Sequence, residues 1–107
     1  MFRNTLPLLA VLVATGAGNA HADVSSGKTK ARTCTVCHGP LGVSTLPDTP
    51  NLAGQPERYV IDQLKAYRSG KRNHEVMSVV AKPLSDDDIA DLAAWFGSLR
   101  IDVKEKP

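Results

Sequence analysis

The chain has little of what small proteins use to hold themselves together. Aromatic residues make up 5% of its 107 residues, as two Phe, two Tyr and one Trp. So few large side chains supply only a thin apolar core, and a domain this small commonly needs a disulfide, a metal or a cofactor as a staple. Charge of neither sign dominates, with 13 Lys and Arg against 11 Asp and Glu. There is no basic stripe to expect a nucleic-acid partner from, and no polybasic face to suggest binding at a membrane surface. Sustained apolar–polar alternation and Asn-Gly or Asp-Gly hairpin turns are absent too, which leaves few strand signals. Internal repeats and low-complexity tracts are missing. So are an acid–base pair, a nucleophile arrangement and a phosphate loop, and no catalytic residue is assigned.

Long apolar runs are also lacking. The opening, MFRNTLPLLAVLVATGAGNAHA, has one charge, Arg3, and an apolar or small stretch from Leu6 to Gly18. A spanning helix needs about 20 apolar residues, and this run is interrupted sooner, at Asn19 and His21. Ala20-His21-Ala22 then gives a small-residue cleavage pattern before the polar Asp23. The segment reads as an export signal over residues 1–22, removed to leave one domain over residues 23–107, rather than as a membrane anchor. Its loss takes only Arg3 from the basic total, so the mature chain stays close to neutral.

What remains is helical in pattern. A first, weakly patterned helix is expected from about Ser26 to Cys34, with Ser25 and Ser26 as N-caps. A second has Pro56 at its favourable first position and continues through ERYVIDQLKAYRS to Gly70, a natural stop. The third is the clearest. Ser85 caps it, Asp86, Asp87 and Asp88 sit where the helix dipole favours negative charge, and Ile89, Leu92, Ala93, Phe96 and Leu99 form its apolar stripe. The stretches between, GPLGVSTLPDTPNLAGQ and KRNHEVMSVVAKPL, are irregular. Loops of that length inside a compact domain usually wrap something or carry function.

Both cysteines fall in one pentapeptide, CTVCH, residues 34–38. A structural disulfide would suit an exported protein, but that loop is too short to restrain much chain and leaves His38 unexplained. A thioredoxin-like redox pair expects a neighbouring βαβ pattern that is missing. Zinc would need His74 as a fourth ligand in a spacing unlike the usual ones. C-x-x-C-H is also the attachment signature for haem c, and this reading uses every residue. Two thiols a helical turn apart add to the two vinyl groups of the porphyrin, and His38 comes to lie under the iron as an axial ligand. A flat apolar macrocycle would then supply the missing core.

With these residues in view the chain resembles a class I cytochrome c of the short bacterial single-haem type, and one domain of the two-haem bacterial cytochromes c. GKTKARTCTVCHG resembles the family's N-terminal helix and haem motif. PNLAGQPERYVIDQLKAYRSGKR resembles its middle, and Met77 followed by LSDDDIADLAAWFGSL resembles its end. The resemblance implies an all-α fold, three main helices and long loops wrapped around one covalently bound haem c held by Cys34 and Cys37. It places Met77 as the second axial ligand opposite His38. It implies that the Pro50 carbonyl accepts a bond from His38, that Gly27 lies where the first helix crosses the last, and that Trp95 and Phe96 complete that contact. Chemistry alone leaves His74 open as a rival to Met77, because histidine is the commoner metal ligand; the family's spacing favours Met77 and makes His74 an exposed loop residue. Tyr59, Tyr67, Lys71 and Arg72 lie within reach of a haem edge in principle but read as packing and solvent residues.

The function so implied is that of a periplasmic electron carrier and not an enzyme. It would be a monomer that meets redox partner proteins transiently, with no nucleic-acid partner and no stable membrane insertion after cleavage. The rivals are a gas-binding or catalytic haem protein with Met77 off the iron, and an electron-transfer subunit bound to an enzyme.

Overall fold

The computed structural model describes residues 21–107, together with Met1 and Val11. The expected export signal, residues 1–22, lies outside the described residues except for Met1, Val11, His21 and Ala22. Among the described residues five helices follow one another: α1 (Val24–Lys30), α2 (Thr35–His38), α3 (Glu57–Ser69), α4 (Met77–Ala81) and α5 (Asp86–Ser98), with a 3-10 turn at Ala31–Thr33 between α1 and α2. Among the described residues there is no strand, and three of the helices have seven or more residues. No helix among them is long and apolar enough to cross a membrane.

The third expected helix forms as its sequence directs. Ser85 accepts from the Asp88 amide and the Asp88 carboxylate accepts in return from the Ser85 amide, a reciprocal box that satisfies two otherwise orphaned donors. Asp86 to Asp88 fill the first turn, and Ile89, Leu92, Ala93 and Phe96 are buried. Leu99, expected at the end of that stripe, sits one residue beyond the helix as its C-cap and is only half-buried. In α3, Pro56 occupies the cap position rather than the first helical one, and Gly70 closes the helix with φ 84° and ψ 4°. That left-handed geometry favours glycine.

The first helix departs from expectation at both ends. It starts at Val24 because Asp23, not Ser25 or Ser26, is the N-cap: its carboxylate accepts from the Ser25 and Ser26 amides at 3.1 and 3.2 Å. It stops at Lys30, and the chain tightens through the 3-10 turn before resuming as α2. The segment before α5, expected as loop throughout, contains α4. Five residues are too few to display a helical period, and the β-branched pair Val79-Val80 gives no helical preference to compensate.

Packing is organised around α5, which contacts both α1 and α3. Gly27 is what lets α1 approach: a Cβ there would overlap the Asp91 carbonyl and stand 2.8 Å from the Trp95 Cβ. Around this crossing, Lys28 Nζ lies 5.5 Å from the Trp95 ring centroid and Lys30 Nζ binds Asp88 and Asp91 at 2.9 and 2.6 Å. From α3, Arg68 donates to the Leu84 carbonyl and to Asp86, at 2.9 and 2.6 Å, clamping the start of α5. The core itself is small. Ala31, Leu92 and Phe96 form its centre, with Cys34, Leu52, Leu64, Leu84, Trp95 and Leu99 packed against them. Alanines make up much of the rest, and Ile89 is the one large side chain fully buried among the described residues.

Candidate functional site

Residues 34–38 wind into a single helical turn, with the His38 amide donating to the Cys34 carbonyl at 2.9 Å and the Cys37 amide to the same carbonyl at 3.3 Å. The two thiols are therefore carried on one turn, Cys34 half-buried and Cys37 exposed, and neither is in a disulfide. Burial pushes the Cys34 thiol above its ordinary pKa, so at neutral pH it is held as S–H.

His38 is buried at 8% exposure, and its Nδ1 lies 2.8 Å from the Pro50 carbonyl oxygen. A carbonyl can only accept, so Nδ1 carries the proton and Nε2 keeps its lone pair free. The same bond fixes the ring's orientation and raises its basicity, as the outer partners of metal-bound histidines do. Pro50 is held in place by the loop that leads to it. Gly39 ends α2 immediately after the histidine at φ 87°, and a Cβ there would overlap the Val43 carbonyl. The Gly42 carbonyl accepts from the Leu52 and Ala53 amides at 2.7 and 3.0 Å, while Asn51 Oδ1 accepts from the Ser44 amide at 2.7 Å. Ser44 Oγ in turn donates to the Cys37 carbonyl at 3.2 Å. The loop thus closes on the helical turn it follows.

Met77 opens α4 and is in contact with His38. The turn before it is built by His74, whose Nδ1 accepts from the Val76 and Met77 amides at 3.1 and 3.3 Å, while the His74 amide donates to Ser78 Oγ at 2.9 Å. His74 is exposed, as expected, but it is not an idle loop residue: its ring caps the helix that carries Met77. A histidine four residues before a serine, at the head of so short a helix, offers no pattern from which the sequence could have shown this. Asn51, next to Pro50, likewise shows its role only in three dimensions, although asparagine in an irregular loop commonly bonds nearby backbone. Of the four residues set aside as edge candidates, Arg72 is engaged within its own segment, 4.7 Å from the Tyr67 ring centroid and bonded to Gln63 at 2.7 Å.

These donors suit a covalently attached haem. Two free thiols share one helical turn, an oriented imidazole offers Nε2, and a thioether sulfur comes from the segment in contact with it. The segments that carry them also expose apolar surface, with Val36 81% and Val79 71% exposed and Leu41, Val43 and Leu46 about half so. Among the described residues no three His, Cys, Asp or Glu side chains gather as a metal cage, so the zinc arrangement with His74 does not form.

Comparison with known proteins gives one consistent result. A family model described as cytochrome c matches residues 24–100. Cytochrome c4 of Pseudomonas aeruginosa is 43% identical over 96 residues, covering 90% of this chain and 48% of its own length. Cytochrome c-554(548) of Halomonas halodenitrificans is 44% identical over 79 residues, 71% of this chain and 95% of that protein. The crystal structure of reduced recombinant cytochrome c4 from Pseudomonas stutzeri superposes with a TM-score of 0.70 at 38% identity, covering 74% of this chain and 46% of that one. The chain spans about half the length of the cytochrome c4 proteins it matches, and nearly the whole of c-554(548).

Proposed function

The chain belongs to the cytochrome c family, and we propose that it is a periplasmic carrier taking and giving one electron at a time between redox partner proteins. Its one CxxCH motif implies one covalent haem c, a group that supplies a single iron centre cycling between ferrous and ferric. In this reading Cys34 and Cys37 would hold the group covalently, each S–H adding across a vinyl C=C to give a thioether, which would keep the cofactor from being lost. His38 would hold the iron through Nε2, with its Nδ1–H kept on the Pro50 carbonyl. Met77 would offer its thioether sulfur as a second iron ligand. With both residues as ligands no coordination position would remain for a substrate, which would favour electron transfer over catalysis, and a methionine sulfur would favour the reduced state. Contacts with partners are small and transient, as befits rapid exchange, and the chain works as a monomer. The export pattern of residues 1–22 supports the periplasmic location.

The observation that carries the proposal is the arrangement around His38: Nδ1 committed to Pro50 at 2.8 Å, with Met77 in contact. Substitution at Met77 and His74 tests it. Met77→Ala should lower the reduction potential and let the reduced protein bind carbon monoxide, whereas His74→Ala, which removes a cap of α4 but no ligand, should leave the reduced protein closed to carbon monoxide. If His74→Ala changes the spectrum and Met77→Ala does not, the ligand assignment is wrong.

A further inference from the structure

The junction of α1 and α5 holds more negative charge than it balances. Asp23, Asp88 and Asp91 meet there, with Lys30 the single cation, among the described residues, that is bonded in the cluster, and Asp87 and His21 border the same surface depression. Asp91 is the most sheltered of the three carboxylates bonded there, its side chain 13% exposed. One of its oxygens takes Lys30 Nζ at 2.6 Å. The other accepts from the backbone nitrogen of Asp23 at 2.8 Å, across 68 residues of sequence.

That nitrogen is the atom that cleavage after Ala22 would turn into the chain's amino terminus. We propose that Asp91 is the docking site for the α-ammonium of Asp23 created when the export signal is removed. The proposal rests on the reading of residues 1–22 as a signal cleaved between Ala22 and Asp23.

The geometry needs no rearrangement to receive the charge. Asp23 is held independently of its nitrogen, because its own carboxylate caps the Ser25 and Ser26 amides and accepts from the Ser26 hydroxyl at 2.6 Å. His21, Ala22 and Asp23 are all exposed, so the bond to be cut is on the surface. Cleavage replaces one neutral N–H donor by an ammonium with three, already at bonding distance from a carboxylate. A cation at a helix N-terminus is disfavoured by the helix dipole. Here the carboxylates of Asp23, Asp88 and Asp91 outnumber Lys30 and offset that penalty. A chain cut elsewhere, or left uncut, keeps only the neutral amide bond at this position, so the junction of α1 and α5 distinguishes a correctly processed end.

Titration of the amino terminus tests this in the processed holoprotein, whose intact mass first establishes that it begins at Asp23. The α-amine should titrate about one unit above the ordinary range of about 7.7–8.0. Two variants give the comparison: Asp91→Asn, and a chain with Gly-Ser inserted before Asp23, which moves the ammonium away from the junction. Both should return the amine to the ordinary range. Asp91→Asn should also lower the melting temperature more in the Asp23-terminated protein than in the Gly-Ser form. An amine that titrates normally in the parent protein, or an equal loss of melting temperature in both backgrounds, overturns the docking while leaving the cleavage reading intact. A mass that begins at another residue overturns the cleavage reading, and the docking with it. Should Asp91→Asn fail to fold, the parent and the Gly-Ser chain still decide the matter by themselves.

Discussion

Placing a methyl group at Gly27 probes the helix crossing on which the rest of the domain is hung. The new Cβ would overlap the Asp91 carbonyl and lie 2.8 Å from the Trp95 Cβ. Neither neighbour is the loose end of a flexible side chain, so relief requires α1 and α5 to move apart. Two terms oppose each other. Alanine is a better helix former than glycine by about 1 kcal/mol, whereas forcing extra volume into a packed contact costs about 1–3 kcal/mol and sometimes more. With backbone as the obstacle the steric term should lie at or above the top of that range, for a net loss of about 2 kcal/mol. In a domain of this size that lowers the melting temperature by about 8–16 °C, read by far-UV circular dichroism of the holoprotein. Gly70 supplies the control. It needs a positive φ of 84° but has nothing within 4 Å of an added Cβ, so Gly70→Ala should cost only backbone strain, about 1–2 kcal/mol. The two cases separate on asparagine, which tolerates the left-handed region: Gly70→Asn should recover most of the loss and Gly27→Asn none. A Gly27→Ala protein melting within about 2 °C of the parent would refute the assignment of this crossing as sterically closed.

Three further outcomes are expected. Ser85→Ala removes one half of the capping box and should cost about 1 kcal/mol, seen as a drop of about 4–8 °C in melting temperature. Acid should weaken the α1–α5 junction: the bond to Lys30 holds the Asp88 carboxyl down to about 2, and the Asp23 amide and Lys30 hold Asp91 below its usual value. Their stabilisation is therefore complete above the unfolded carboxylate pKa of about 3.9 and fades as pH falls toward 2, so Asp88→Asn should flatten the acid limb of a stability–pH profile. Finally, the parent protein should keep its haem colour on a denaturing gel, whereas Cys34→Ala/Cys37→Ala should yield a haem-free chain. With backbone ordering costing about 1–2 kcal/mol per residue against so small a core, that chain should show collapsed amide dispersion by NMR; sharp, dispersed resonances would contradict it.

How much of this could be read from the sequence depended on how local each determinant is. The haem motif is five consecutive residues, and α5 announces itself through Ser85, three aspartates and a long apolar stripe. Both were legible because their logic is contained in a few turns of chain. The start of α1 was misplaced because Asp23, Ser25 and Ser26 are all competent caps, and the choice among them is made partly by Asp91, far away in sequence. The helix at Met77 was missed because five residues carry no measurable period, and what starts it is the His74 ring, a residue with no general capping preference. The bond from His38 to Pro50 was foreseen only through family resemblance. Nothing in the spacing of twelve residues says that an irregular loop will fold back, and the cross-ties through Gly42, Ser44 and Asn51 that make it do so become visible only in three dimensions.

The pairing of α1 with α5 sets the order in which such a chain can assemble. The loop that brings Pro50 to His38 spans 12 residues, and the contact between Asp23 and Asp91 spans 68. Closing the longer loop costs about 1.5 kcal/mol more in chain entropy, and α5 is the last of the described helices to arrive in a chain delivered N-terminus first. Until α5 appears, the face of α1 around Gly27 has nothing to pack on, and no shorter N-terminal piece can bury it. In a chain delivered N-terminus first, α1 would therefore remain without its partner, with CTVCH accessible, until α5 has arrived. On the proposed export reading, vectorial delivery would hold the attachment motif available to whatever loads it and would postpone closure of the α1–α5 crossing until α5 arrives.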